Sequence, residues 1–243
     1  MDKQKFKSII NEEASKPQII EGISYWCDRW CERCKGTESC TIYNVSSHFS
    51  PDKQDDFYNS VYELFESTID LLEKHSEEMG IDFHAQTETE FEDDYNRRKD
   101  SIKNNAGLLL AKKYEKQVKD WLNCLRKKEP YGMEIRLHDS RLADSLEVIQ
   151  WYQSLFGVKM ERALMSQKEE ETGDYDIPDS IGNAKLLLVS IERNINAWAY
   201  LYEKFREDED DILKILSGLQ RLYHQIEQTF PNAKSFIRNG LDE

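Results

Sequence analysis

The chain has 243 residues, a formal net charge of -14 and 33% charged residues, with only ten glycines and five prolines. This acidity argues against nonspecific binding to nucleic acid or to an anionic membrane surface, because such binding gains most of its free energy when Lys and Arg neutralise phosphates. No stretch reaches the roughly 18 apolar residues that a membrane span requires, and the first residues lack a signal-peptide pattern, so we predict a cytoplasmic protein. The scarcity of turn-forming residues favours a few long helices.

Two helical segments are predicted before the first long helix. Apolar residues recur at helical spacing over residues 3–14, and Pro17 suits the first turn of a second helix that runs into a cysteine-rich stretch. At about 100° per residue, one face of that second helix carries two isoleucines and three cysteines: Ile20, Ile23, Cys27, Cys31 and Cys34. Gly36 is predicted to end the helix, and Cys40 then returns from the following loop.

The rest of the sequence predicts long helices with apolar residues at a period of 3.6. They cover about 51–79, 88–128, 140–166, a stretch that begins near 179, and a last helix over about 209–229. In the 88–128 helix we expect a kink near residues 104–107, where two asparagines and a glycine weaken it. On the 51–79 helix the residues expected to face the core are Phe57, Val61, Leu64, Thr68, Leu72, His75 and Met79.

These elements indicate an all-α fold. Four long helices with short or moderate connections are typical of an up-and-down bundle, and we expect the N-terminal cysteine-rich segment and the C-terminal helix to pack on its outside. No second hydrophobic core is evident, so one helical domain is predicted over residues 1–243, with a metal-binding segment at 17–40 inside it.

The chemistry of the chain is concentrated in four of its five cysteines, which read C-x3-C-x2-C-x5-C. We predict that Cys27, Cys31, Cys34 and Cys40 ligate one centre, because thiolates select zinc or an iron–sulfur cluster over calcium or magnesium. Tetrahedral zinc needs sulfurs about 3.8 Å apart, whereas the first and third of these cysteines on one unbroken helix have Cα atoms about 10.5 Å apart. A 4Fe-4S cluster spreads its ligands further and is therefore preferred over zinc. The alternatives are cysteines that only fill an apolar stripe, or disulfides.

The spacing of the last three cysteines, C-x2-C-x5-C, resembles the end of the four-cysteine 4Fe-4S motif of helix-hairpin-helix DNA glycosylases. The resemblance covers residues 31–40 only, and the first gap of three residues is shorter than in that family. It implies a cubane cluster, but not glycosylase chemistry, since the chain lacks the helix-hairpin-helix glycine pattern. The run C-D-R-W-C-E-R-C is also similar to one in uncharacterised bacterial helical proteins, which implies no activity.

The sequence therefore predicts a cysteine-ligated metal-binding helical-bundle protein with a non-catalytic structural, sensing or interaction role. The alternative is an iron–sulfur redox protein or enzyme that transfers electrons to a partner. No nucleophilic triad, phosphate-binding glycine loop or nucleotide fingerprint is present, and no Glu-x-x-His pair supports a diiron centre. The sequence identifies no catalytic residue, so whether the chain is an enzyme stays open. A protein partner also stays open.

Overall fold

The computed structural model describes residues 3–48, 54–80, 88–128, 139–171 and 178–242. All regular elements in these ranges are helical and none is a strand, which confirms the all-α class. The α-helices are α1 Lys3–Ala14, α2 Thr41–Ser47, α3 Gln54–Glu78, α4 Glu88–Ile102, α5 Ala106–Lys128, α6 Ser140–Tyr152, α7 Leu155–Glu170, α8 Asp179–Lys204 and α9 Glu209–Thr229. Over the same ranges, no helix combines the length and the apolar character needed to cross a bilayer.

The contacts of the chain fall into two compact units. The first unit contains Met1–Asn96 together with Ile237–Glu243, and the second contains Arg97–Phe236. Helices α1 to α3 therefore belong to the first unit and α5 to α9 to the second. The prediction of one domain over residues 1–243 stays a prediction.

Helix α8 is the centre of the second unit. It packs against α6, α7 and α9, while α5 packs against α7 and α9. The apolar face of α9 is fully enclosed through Ile212, Ile215, Leu219, Leu222 and Ile226. The C-terminal helix was expected outside the bundle, but it contributes to the core because its hydrophobic residues recur at three and four positions over the whole helix.

Two of the predicted long helices are each divided in two. The 88–128 segment is broken between α4 and α5, where the Asn105 side chain accepts hydrogen bonds from the backbone N–H groups of Gly107 at 2.9 Å and Leu108 at 3.3 Å. This is N-capping, so the predicted kink is a complete break that starts a new helix. The 140–166 segment is interrupted after Tyr152, and α7 begins at Leu155.

A buried polar network joins α5 to α8 in the second unit. The Tyr114 hydroxyl donates to Asn194 Oδ1 at 2.6 Å and accepts from Trp198 Nε1 at 3.3 Å. The Asn194 amide donates in turn to the Ser190 carbonyl oxygen at 3.1 Å. Burial raises the pKa of Tyr114 well above its usual value, so the hydroxyl keeps its proton and acts as a donor.

The start of α6 is fixed to α8 by one carboxylate. Asp139 accepts a hydrogen bond from the Leu142 backbone N–H at 2.9 Å, which caps the helix, and both its oxygens accept from the Tyr200 hydroxyl. Lys204 Nζ lies 2.9 Å from Asp139 Oδ2. The hydrogen bond from Lys204, followed by those from Leu142 and Tyr200, lowers the pKa of Asp139 to about 2.

This lowered pKa predicts a pH dependence for the junction between α6 and α8. Because the carboxyl is more acidic when folded, its contribution to stability is complete above its ordinary pKa of 3.8 and is lost as the pH falls through about 2. We expect amide hydrogen exchange in the first turn of α6 to accelerate over that interval, and Asp139→Asn to abolish the change. Asp120→Asn is the control, because the Asp120–Lys116 pair is exposed on both sides. An equal response of both variants would contradict the assignment.

Helix α3 differs from its predicted packing. Thr68, Leu72, His75 and Met79 were expected to face the core, but all four side chains are exposed. Ser76 is the buried residue in this part of the helix. Side-chain placement at Phe57, Val61 and Leu64 lies outside what the structure describes.

Candidate metal centre

The cysteine-rich segment is a series of short turns, and the helix predicted from residue 17 into the cysteines is wrong. Gly22 and Arg29 have φ angles of 74° and 60°, in the left-handed region that a right-handed helix excludes. The Asp28 side chain also accepts from the Trp30 backbone N–H at 3.1 Å, which is a local alternative to helical hydrogen bonding. The isoleucines and cysteines therefore do not form one helical stripe.

Two three-residue 3-10 turns position the last cysteines. The turn Cys31–Arg33 ends at Cys34, whose backbone N–H donates to the Cys31 carbonyl oxygen at 3.2 Å. The turn Thr37–Ser39 ends in the same way at Cys40, whose N–H donates to the Thr37 carbonyl oxygen at 3.1 Å. The backbone of both cysteines is extended, so each turn ends at a cysteine.

The residue that directly precedes the second turn contacts sulfur. The Gly36 backbone N–H donates to Cys34 Sγ at 3.3 Å. Hydrogen bonds to sulfur are among the contacts that tune thiolate-bound metal centres. The arrangement corresponds to C-x2-C-x-G in the sequence, so Gly36, predicted only as a helix stop, also contacts the candidate ligand.

The four cysteines predicted as ligands are all reduced and half-buried, while Cys124 is exposed on α5 in the other unit. Burial is the main reason that the pKa of the Cys31 thiol is raised. Negative charge on three neighbouring thiols raises it further: Cys27, Cys40 and Cys34. The other three predicted ligands are thus near enough to Cys31 for their charges to affect its thiol.

The side chains are nevertheless not arranged for coordination. Across the described ranges, no group of three or more His, Cys, Asp or Glu side chains is placed so that it could hold a metal ion. The Cys27 thiol instead donates to the Ser24 carbonyl oxygen at 3.4 Å. A metal would require these thiols to turn away from their present contacts.

Ile23 packs between two glycines beside the cysteine turns. A Cβ atom at Gly36 would lie 2.7 Å from Ile23 Cδ1, and one at Gly240 would lie 3.0 Å from the same atom. Gly240 also has a φ of 71°, which a side chain would strain. Glycine at both positions therefore allows the C-terminal segment (residues 237–242) to approach the cysteine segment (residues 17–40) closely.

Arg238 fixes the C-terminal segment to the same region. Arg238 is 5% exposed, and its guanidinium donates to both carboxylate oxygens of Asp242 and to the Trp26 carbonyl oxygen at 3.2 Å. A buried arginine needs partners of this kind, because an unpaired buried charge is strongly unfavourable. Trp26 directly precedes Cys27, so the hydrogen bond from Arg238 stabilises the backbone at the first cysteine. Sequence reasoning missed it, since its only sequence signal is an Arg and an Asp four residues apart.

A second buried charge connects α1 to the end of α2. Glu13 is 2% exposed and lies 2.6 Å from Lys16 Nζ and 2.9 Å from His48 Nε2. The hydrogen bond from Lys16, and after it that with His48, lowers the pKa of Glu13, so the carboxylate is charged at neutral pH. The cysteine segment, which lies between these helices in the chain, is thereby fixed at both of its ends.

A groove of about 400 Å³ between α5 and α9 is the other candidate site. Its cationic lining residues are Lys113, Lys214 and Arg221, and all three are exposed. Lys214 already binds Asp211 at 2.8 Å, and Asp210 adds negative charge to the lining. Exposed cations with acidic neighbours attract an anion weakly, so the cysteine segment remains the stronger candidate.

Comparisons of the chain with protein-family models, with curated proteins and with solved structures give no match.

Proposed function

We propose that the first unit binds a metal through Cys27, Cys31, Cys34 and Cys40, and that the metal stabilises this unit in a non-catalytic structural, sensing or interaction role. The observation that carries the proposal is the pair of 3-10 turns that each deliver a cysteine, with the Gly36 N–H on the Cys34 sulfur. Thiolates of this number and density bind zinc or iron–sulfur clusters in reducing compartments.

Zinc is the first candidate for the metal. The helix that separated the thiols too widely for a tetrahedral ion is absent, so the geometric preference for a cluster no longer holds. The thiols would have to rearrange to close around one ion, and metal binding is commonly coupled to such ordering.

A 4Fe-4S cluster is the second candidate, supported by the C-x2-C-x5-C spacing of the last three cysteines. A cluster would supply reversible one-electron chemistry, and the partial exposure of all four cysteines is compatible with electron exchange with a partner. In that case the chain's own contribution is to hold the thiols and to donate the Gly36 hydrogen bond to sulfur.

The test is metal analysis of the full chain purified without oxygen or chelators. We expect about one zinc per chain and a colourless protein, or about four irons with broad visible absorption that dithionite bleaches. Cys34→Ser is expected to lower the metal content to less than about half, because it removes one of the four ligands. Cys124→Ser is the matched control and should leave it unchanged, since this thiol lies in the other unit.

A different outcome would contradict the proposal. Protein that is free of metal under these conditions, with all four thiols reacting freely, would leave the cysteines as packing residues only. Equal loss of metal in Cys34→Ser and Cys124→Ser would assign the metal to another site.

A further inference from the structure

Helix α3 exposes a regular row of large apolar side chains, here called the α3 stripe. Its members are Tyr62, Phe65, Ile69, Leu72 and Met79, and each is between 47% and 66% exposed. Spacings of three, four, three and seven place them on one side of the helix, as in the seam of a coiled coil. At roughly 200 Å² per large side chain, about half of it exposed, the stripe presents roughly 500 Å². Apolar patches of that size on soluble proteins commonly mark interaction sites.

A second row runs parallel to the α3 stripe and is acidic. It consists of residues that repeat at the same three- and four-residue spacing: Glu66, Asp70, Glu73 and Glu77. The first three each directly follow a residue of the α3 stripe, and Glu77 follows the buried Ser76. Over its full length α3 contains eight acidic residues and a single lysine. One flank of the stripe is therefore strongly negative.

This charge pattern selects among the possible occupants. A second copy of α3 packed antiparallel would bring the two acidic rows together, which is unfavourable, and a parallel copy would offer them no positive charge. Whole chains with a net charge of -14 also repel one another. A helix with an apolar stripe and basic residues beside it is complementary to both the α3 stripe and the acidic row.

We propose that the α3 stripe is a docking surface for an amphipathic helix of a partner protein that carries Lys or Arg next to its apolar face. Apolar burial supplies the affinity, and the acidic row sets the orientation of the partner. The proposal is independent of metal at the cysteine segment, because its contacts lie on α3 alone.

The experiment uses the full chain and three labelled peptides of about 21 residues. The first carries Leu and Ile at three- and four-residue spacing with Lys beside them. The second replaces each Lys by Glu, and the third has the composition of the first with its apolar residues spread around the helix. Fluorescence anisotropy should show binding of the first peptide, at least about tenfold weaker binding of the other two, and a severalfold loss between about 0.05 and about 0.5 M salt.

Variants of the protein test the surface itself. Phe65→Ser with Ile69→Ser should weaken binding of the first peptide at least about tenfold, and Glu66→Lys with Asp70→Lys should weaken it severalfold. Val158→Ser is the matched control, because Val158 is 65% exposed on α7 in the other unit. Far-UV circular dichroism verifies that each variant keeps its helical content.

Several results would overturn the proposal. Binding that is equal for the first and third peptides would show a nonspecific attraction of charge. Unchanged binding in the folded Phe65→Ser/Ile69→Ser protein would show that the peptide binds elsewhere. No binding by the native chain would show that the α3 stripe is not a docking surface for such a helix. A dimer of the native chain in sedimentation equilibrium that this variant dissociates would make a second copy the occupant.

Discussion

Arg238→Met is expected to destabilise the first unit by about 3 kcal/mol. The substitution keeps most of the apolar stem but removes the guanidinium, so Asp242 loses its ion pair while its side chain is only 15% exposed. The Trp26 carbonyl oxygen also loses a hydrogen bond. Amide hydrogen exchange over residues 17–40 should therefore accelerate by roughly a hundredfold, since 1.4 kcal/mol is a factor of ten.

The matched control is Arg162→Met in the second unit. Arg162 also binds both oxygens of an aspartate, Asp179, but its side chain is 56% exposed. Exposed pairs contribute little, so we expect less than about 1 kcal/mol. The two variants separate the effect of burial from the effect of ion-pair geometry. If residues 17–40 exchange at the native rate in Arg238→Met, the C-terminal segment does not stabilise the cysteine segment.

Tyr114→Phe is expected to destabilise the second unit by about 3 kcal/mol. Loss of one hydroxyl leaves two buried groups without their partner, the acceptor Asn194 Oδ1 and the donor Trp198 Nε1. Both residues are fully buried, so water cannot replace the hydroxyl without rearrangement. Each unsatisfied group costs about 1–3 kcal/mol. Urea unfolding followed by far-UV circular dichroism measures the change in the free energy of unfolding.

Tyr223→Phe is the control for this second prediction. The Tyr223 hydroxyl donates to Glu192 Oε1 at 2.9 Å at the surface, where water can take its place. We expect less than about 1 kcal/mol. Similar values for both tyrosines would show that the buried network contributes no more than a surface contact. Asn194→Ala combined with Tyr114→Phe should cost less than the sum of the two single changes, because the two residues share one hydrogen bond.

Periodicity in the sequence was sufficient to predict the helical class and most of the long helices. A kink near residues 104–107 was predicted because Asn and Gly weaken a helix, but the complete break was not, since the capping that starts a new helix depends on the conformation of the Asn105 side chain. The core position of α9 was missed. Its apolar face is regular, but periodicity alone does not show which neighbouring helix will cover it.

The candidate site was predictable in residue identity and not in conformation. The cysteine spacing identifies the segment, yet the spacing of Ile20, Ile23 and the thiols also fits a helix, and that interpretation was wrong. The decisive features are left-handed backbone at Arg29 and a side-chain contact from Asp28, which depend on local geometry that composition does not encode. Arg238 was missed because its partner backbone at Trp26 is 212 residues away in the sequence.

That long sequence separation has a consequence for biosynthesis. The residues of the first unit lie before and after those of the second unit in the sequence. The backbone at Trp26 therefore cannot gain its Arg238 contact until the ribosome has translated all of α5 to α9. The second unit, whose residues are contiguous, can fold on the ribosome before then. Throughout that interval the cysteine segment lacks the hydrogen bond from Arg238 that stabilises its backbone in the finished protein. We therefore expect the cysteine segment to reach its final conformation only after the second unit has been synthesised.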